Sequence, residues 1–155
     1  MPYAGWTHIV IPGDPVAQGR PRFFPVGNPD GQGCRRMAAT DPPKSRRWKA
    51  HAQDHMRSVV DQPANRLDPI RLELMAVFAC PRSDYRKRTP RPRRSHTKRP
   101  DIDNVLKAVL DAGTGVLWID DDQVCEVHCR KIVGAQDEAP RVELSYAVIL
   151  PEELP

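Results

Sequence analysis

The segment PIRLELMAVFAC, residues 69–80, puts Ile70, Leu72, Leu74, Ala76, Phe78 and Cys80 at every second position. That period of two is the mark of a strand burying one face. In its second half Met75, Val77 and Ala79 make the other face apolar too, which predicts a central strand covered on both sides. Helical periodicity flanks it. Upstream, Asp41-Pro42-Pro43 opens a run, Lys44 to Val60, with few helix breakers, in which Trp48, Ala52, Met56 and Val59 form one modest apolar stripe. Downstream, Ile102, Val105, Leu106, Val109 and Leu110 follow the i, i+3, i+4, i+7, i+8 pattern of an amphipathic helix, stopped by Gly113-Thr114-Gly115.

Further out, Trp6 to Ile11 reads as a strand ended by Pro12-Gly13, and Gln123 to Val133 and Arg141 to Leu150 read as two more. The pieces Arg20–Phe24 and Cys34–Ala38, joined by a loop from Gly27 to Gly33, suggest a hairpin. The fold class is therefore α/β in the α+β sense: a small mixed sheet of about four main strands packed by two helices. With 155 residues, 39% hydrophobic and 28% charged, the chain is one domain, residues 1–155. Its 17 prolines exclude a coiled coil.

No run of about 20 apolar residues occurs and the first 19 residues lack a signal-peptide layout, so the expectation is a cytoplasmic protein without a membrane partner. Its four cysteines, Cys34, Cys80, Cys125 and Cys129, are then expected to be reduced. Charge is unevenly spread. Residues 82–99 hold nine Lys/Arg against Asp84, a net +8, which leaves −4 for the rest of a chain whose total is +4. A compact basic segment on a mildly acidic body points to a polyanion, nucleic acid first, through Arg91, Arg93, Arg94, Lys98 and Arg99. Nine like charges with Pro90 and Pro92 also predict a mobile loop without packed structure in the absence of DNA. A solvated charge run is the alternative.

The most informative stretch is KRPDIDNVLKAVLDAGTGVLWIDDDQV, residues 98–124. Asp101 and Asp103 stand where the second helix begins, so Asp101 can cap free N–H groups while both carboxylates lie near the positive helix end. Asp103, Asn104, Lys107 and Asp111 share one side of that helix, opposite its apolar stripe. A helix cap plus an Asp103–Lys107 ion pair, worth about 0.2–0.5 kcal/mol, would account for the pattern without any chemistry. Asp120-Asp121-Asp122 shifts the balance, because three successive carboxylates need a cation or a solvated turn. With Asp101 and Asp103 they offer an all-oxygen donor set suited to Mg²⁺.

These residues resemble the RusA family of Holliday junction resolvases, Mg²⁺-dependent endonucleases of phage and bacterial origin. The resemblance rests on Asp101, Asp103, Asn104, Lys107, Asp111, Gly115, Asp120, Asp121, Gln123 and Val124, and on PGDPVAQGRPRF, Pro12 to Phe23. It implies that Asp101, Asp103 and Asp121 bind the metal, with Mn²⁺ as the substitute ion, and that Lys107 is catalytic. It further implies a homodimer acting on four-way DNA junctions in recombination and repair, with no small-molecule cofactor. The chemistry agrees, since carboxylate-held Mg²⁺ and a lysine can activate water and stabilise charge on a phosphodiester.

Other residue groups are less telling. Arg20 and Arg22 can contact phosphates, while Phe23 and Phe24 either stack on a base or pack in the core, with core packing favoured. Cys125, His128 and Cys129 have near-zinc spacing, but in a strand His128 faces away from the cysteines. His51 and His55 are one helical turn apart without a third ligand and read as a polar stripe. Two rival functions remain: a metal-dependent nuclease acting on other branched or single-stranded DNA, and a non-catalytic nucleic-acid-binding protein with a structural Asp cluster.

Overall fold

A computed structural model describes residues 5–27 and 36–153. Among these residues seven strands and two α-helices run in the order β1 (Thr7–Pro12), β2 (Arg22–Val26), β3 (Arg36–Thr40), α1 (Pro43–Arg57), β4 (Ile70–Phe78), β5 (Arg94–Ser95), α2 (Ile102–Gly113), β6 (Val124–Val133) and β7 (Arg141–Val148). The main sheet has the order β1-β7-β4-β6-β5, so PIRLELMAVFAC does lie at its centre. Strand β4 runs antiparallel to β7 and parallel to β6. A parallel pair needs a long crossover, and here the basic segment and α2 form it. Strands β2 and β3 pair antiparallel as a separate hairpin, Phe23 opposite Ala39 and Phe24 opposite Ala38. The loop between them and Cys34 lie outside the described residues; Cys80, Cys125 and Cys129 are free thiols.

Both helices cover the same face of the sheet. Ile9 and Ile11 of β1, Ile70, Leu72 and Leu74 of β4 and Val142 and Leu144 of β7 meet Trp48, Ala52 and Met56 of α1 and Ala108, Val109 and Ala112 of α2. Each large aliphatic side chain so buried stabilises the fold by about 1.5–3 kcal/mol. The stripe of α2 is turned slightly from the expected one: Ile102 is exposed, and Ala108 and Ala112 take part.

Two sequence expectations are corrected here. Strand β4 carries helices on one face only; on the other, Glu73 and Met75 stand beside His128, Arg130 and Glu143 in an open polar hollow. Val77 alone of that face is fully buried, close to Gly134 and Glu138. In β6 the alternation of Cys125, Val127, Cys129 and Val133 predicts one apolar face, but a register shift between Ile70 and Arg71 leaves Cys125 without a partner on β4; Cys125 and Val127 are exposed, while Val124 and Cys129 pack against the core. Trp118 lies fully buried under the end of α2, and a Cβ at Gly113 would come within 2.3 Å of its indole. Glycine is required there by that close approach.

Candidate active site

Helix α2 starts at Asp101, whose backbone is extended but whose carboxylate makes no capping bond. The expected side-chain cap is thus absent, for a local reason: the chain is held by other groups. Lys131 Nζ donates to Lys98 O at 2.6 Å and to Pro100 O at 2.5 Å. Gln18 N donates to Asn104 O at 2.8 Å, tying the N-terminal segment to the first turn of α2. Lys131 does not stand out in the sequence, and Gln18, although within the Pro12 to Phe23 stretch, carries no spacing that marks this contact. Among the described residues the Asp101 carboxylate then has no partner, and it lies in a hollow shared with Arg20, Arg99, Gln18 and Asn104.

The Asp103–Lys107 pair does not form either. Among the described residues neither side chain has an ion-pair partner, and Asp103 accepts only a long 3.4 Å bond from Asn104 Nδ2. Lys107 is exposed, one turn from Asp111 on the same side of α2. Its field falls instead on Asp121. Partial burial, a hydrogen bond with Asp120 and the negative charges of Asp120 and Asp111 hold the Asp121 carboxyl above its ordinary range, and Lys107 opposes them.

The three-aspartate run is divided by its partners. Arg66 binds Asp122 at 2.7 Å in an exposed pair, leaving Asp121 toward the α2 charges. Buried Gln123 builds this turn: its Oε1 accepts from Ile119 N at 2.8 Å and Asp120 N at 3.1 Å, and its Nε2 donates to Asn65 O and Asp68 O. Asp111 is also addressed by Lys49 of α1 at 3.5 Å, and Lys49 binds Asp41 as well. That lysine, then the Gln18 amide, hold the Asp41 carboxyl below its usual range. A partner on another helix leaves no trace in one helix's periodicity, so Lys49 escaped sequence reasoning.

The basic segment is mostly exposed, but two of its nine basic side chains have acid partners among the described residues and its backbone is tied to a neighbouring loop. Arg93 pairs with Glu138, Arg94 with Asp84, and the Arg91 backbone joins Gln136 through Gln136 N to Arg91 O at 2.8 Å. Arg93 first, then the Ala135 N–H and Arg141, hold the Glu138 carboxyl down at about 2. His96 stacks on Phe78 with ring centroids 4.4 Å apart, and burial and Lys131 push its pKa down. The arginines and lysines expected to meet DNA fall into four groups. Arg20 and Arg99 border the Asp101 hollow, Arg22 stands on the exposed hairpin, Arg93 and Arg94 are engaged by acids while Arg91 Nε donates to Asp84 O at 3.3 Å, and Lys98 lies on the clamped backbone between. His128 lies on the open face of the sheet, and His51 bonds Pro12 O at 2.8 Å.

Asp101, Asp103, Lys107 and Asp111 are spread along about 15 Å of helix rise, with Asp121 electrostatically coupled to Lys107 and Asp111. Among the described residues no three His, Cys, Asp or Glu side chains form a closed ligand set. Mg²⁺ does not require one, since it is commonly held by one or two carboxylates with waters and substrate phosphates completing its shell. The raised Asp121 carboxyl fits such an ion, because a nearby cation would relieve its crowding. Oxygen donors, an unpaired lysine and bordering arginines suit chemistry on a phosphodiester.

Comparison with known proteins agrees with that class. The model of the family described as endodeoxyribonuclease RusA matches residues 12–145, and the chain belongs to this endodeoxyribonuclease family. It is also similar to a Bacillus subtilis (strain 168) protein named uncharacterized protein YqaN, 28% identical over 145 residues that cover 88% of this chain and 92% of the relative. No helix among the described residues is long and apolar enough to cross a membrane.

Proposed function

We propose that the protein is a Mg²⁺-dependent endodeoxyribonuclease that resolves four-way DNA junctions by paired nicks in recombination and repair. The observation that carries this reading is the group of charges on α2 that have no ion-pair partner among the described residues, Asp101, Asp103 and Lys107, in a member of a nuclease family. Asp101, Asp103 and Asp121 would hold the ion together with phosphate oxygens of the DNA; Mn²⁺ would substitute. When bound, the ion lowers the pKa of a water and stabilises charge on the phosphoryl and leaving oxygens. Lys107 adds a positive charge at the same surface, where it stabilises charge that develops as the bond breaks. Gln123 and Lys131 fix the backbone on which Asp121 and Asp101 stand. Arg20 and Arg99 orient the strand beside Asp101 by its phosphates. Two symmetric nicks call for two copies of the site related by a two-fold axis, hence a homodimer.

The decisive experiment compares a labelled four-way junction with a linear duplex of the same arm sequence, each with EDTA, Mg²⁺ or Mn²⁺. Paired nicks in the junction alone, dependent on the ion, are the expected result. Equal cutting of flaps or single strands would assign a broader nuclease. Binding without cleavage under any ion would assign a non-catalytic DNA-binding protein.

A further inference from the structure

The β2–β3 hairpin breaks the rule that apolar rings go inside. Phe23 is 68% exposed and Phe24 45%, with Met37 at 60% and Val26 at 46%. The favoured core-packing reading of these rings is thereby overturned. Neighbours on a strand point to opposite faces, so the hairpin carries one ring on each side. Each ring stands opposite an alanine, Ala39 or Ala38, so no large cross-strand side chain covers it.

This ribbon is rooted in the candidate active site. Ser45 Oγ, buried at the start of α1, accepts from Gly19 N at 3.1 Å and donates to Ala17 O at 3.3 Å. A Cβ on Gly19 would meet Pro42 Cγ at 2.6 Å, so only glycine lets the chain leave the body at that point. One residue earlier Gln18 N binds α2, and one residue later Arg20 borders the Asp101 hollow. Residues 20–27 and 36–40 contain no acid, while Arg20 and Arg22 precede the rings.

A flat protein surface can cover only one side of a two-stranded ribbon. Rings on both sides, with arginines at the root and no acid on either strand, fit a partner that offers π-faces on each side and phosphates between them. We propose that the β2–β3 hairpin enters the branch point of the DNA, where Phe23 and Phe24 stack on bases that have lost their neighbours, and so selects branched over linear DNA. The inference rests on the proposed junction-directed activity. Its physical basis is general: base–aromatic stacking tolerates any sequence, and an inserted apolar side chain binds most readily where a base step is already open.

The test measures affinity for a four-way junction and for linear duplex in EDTA, where no cleavage intervenes. The proteins are wild type, Phe23→Ala, Phe24→Ala, the double variant, Phe24→Trp, and Leu67→Ala as an exposed apolar control far along the chain. Stacking predicts that each Phe→Ala change lowers junction affinity roughly tenfold, leaves linear-duplex affinity within twofold, and that Phe24→Trp retains the preference. Exposed positions leave the melting temperature near wild type, which checks folding. The inference is overturned if the double variant keeps the wild-type junction-to-linear ratio. It is also overturned if that variant converts a wild-type dimer to monomers, since the rings would then cover a second copy. Cleavage in Mg²⁺ is scored separately: a wild type that prefers the junction through its rings but never cuts sinks the nuclease reading and leaves the hairpin inference standing.

Discussion

Two charged regions lie next to each other in the chain, and the fold treats them in opposite ways. In residues 82–99 the arginines that look most available find acids: Arg93 takes Glu138 and Arg94 takes Asp84. On α2, Asp103 and Lys107 stand one turn apart, a spacing that pairs readily on a helix surface, and yet they do not pair. The sequence offers both regions as functional candidates, the first for DNA contact and the second for metal binding and catalysis. Charges that a fold could neutralise and does not are open to a substrate, whereas Arg93 and Arg94 are already held by acids.

The sharpest way to break this contrast is to neutralise the α2 side. Asp103→Asn or Asp121→Asn should lower the single-turnover cleavage rate by two or more orders of magnitude while junction binding persists, because the loss removes ion and charge stabilisation and relieves repulsion of phosphate. Gel shift beside cleavage measures both, and a near-wild-type rate in both variants would refute the acid assignment.

On the basic side, Glu138→Gln should cost about 1–2 kcal/mol, since it weakens charge-assisted bonds to Arg93 and Arg141. Its carboxyl sits lower folded, at about 2, than unfolded. The stabilisation is therefore complete above the unfolded value near 4.5 and is lost as pH falls from there toward 2. Urea midpoints of wild type and variant should differ at pH 7, and the gap should narrow clearly by pH 3 and close as pH nears 2. A gap that stays constant with pH would mean that the charge is not what matters.

The smallest effect concerns DNA. Replacing Arg91, Arg93 and Arg94 together with Ala should weaken binding only a few-fold and flatten the log–log salt slope by less than about one, because Arg93 and Arg94 would first have to leave their acids. A fall approaching about 2.7, the value for three phosphate contacts, would show that they do leave and would restore the segment as the principal DNA surface.

How far the sequence disclosed this molecule depended on where each partner lies. Periodicity within one element was reliable: β4, α1 and α2 lie where their apolar patterns put them and β4 is central, although α1 ends at Arg57, so Val59 of its expected stripe lies beyond it and is exposed. The same patterns could not tell what covers a second face, so β4 looked enclosed when half of that face is open. Of the candidate site, the acids and Lys107 were readable because their spacing on one helix is itself the signal. Lys49, Gln18, Ser45 and Lys131 were not, since each reaches the site across a fold contact with no sequence spacing to mark it. The compensation of Arg93 by Glu138 spans 45 residues and was equally hidden. Phe23 and Phe24 misled for another reason: hydrophobicity alone favours burial, and only the hairpin's separation from the main sheet exposes them.

Lys107 puts the central claim most directly at risk. Single-turnover cleavage of a four-way junction in Mg²⁺, measured beside a melting curve for Lys107→Ala and Lys107→Arg, separates its two roles. A lysine left unpaired for chemistry predicts that Lys107→Ala lowers the rate at least a hundredfold, that Lys107→Arg recovers part of it, and that neither changes the melting temperature by more than about 1 °C, there being no ion pair to lose. A Lys107→Ala protein that cuts at the wild-type rate but melts several degrees lower would contradict the account.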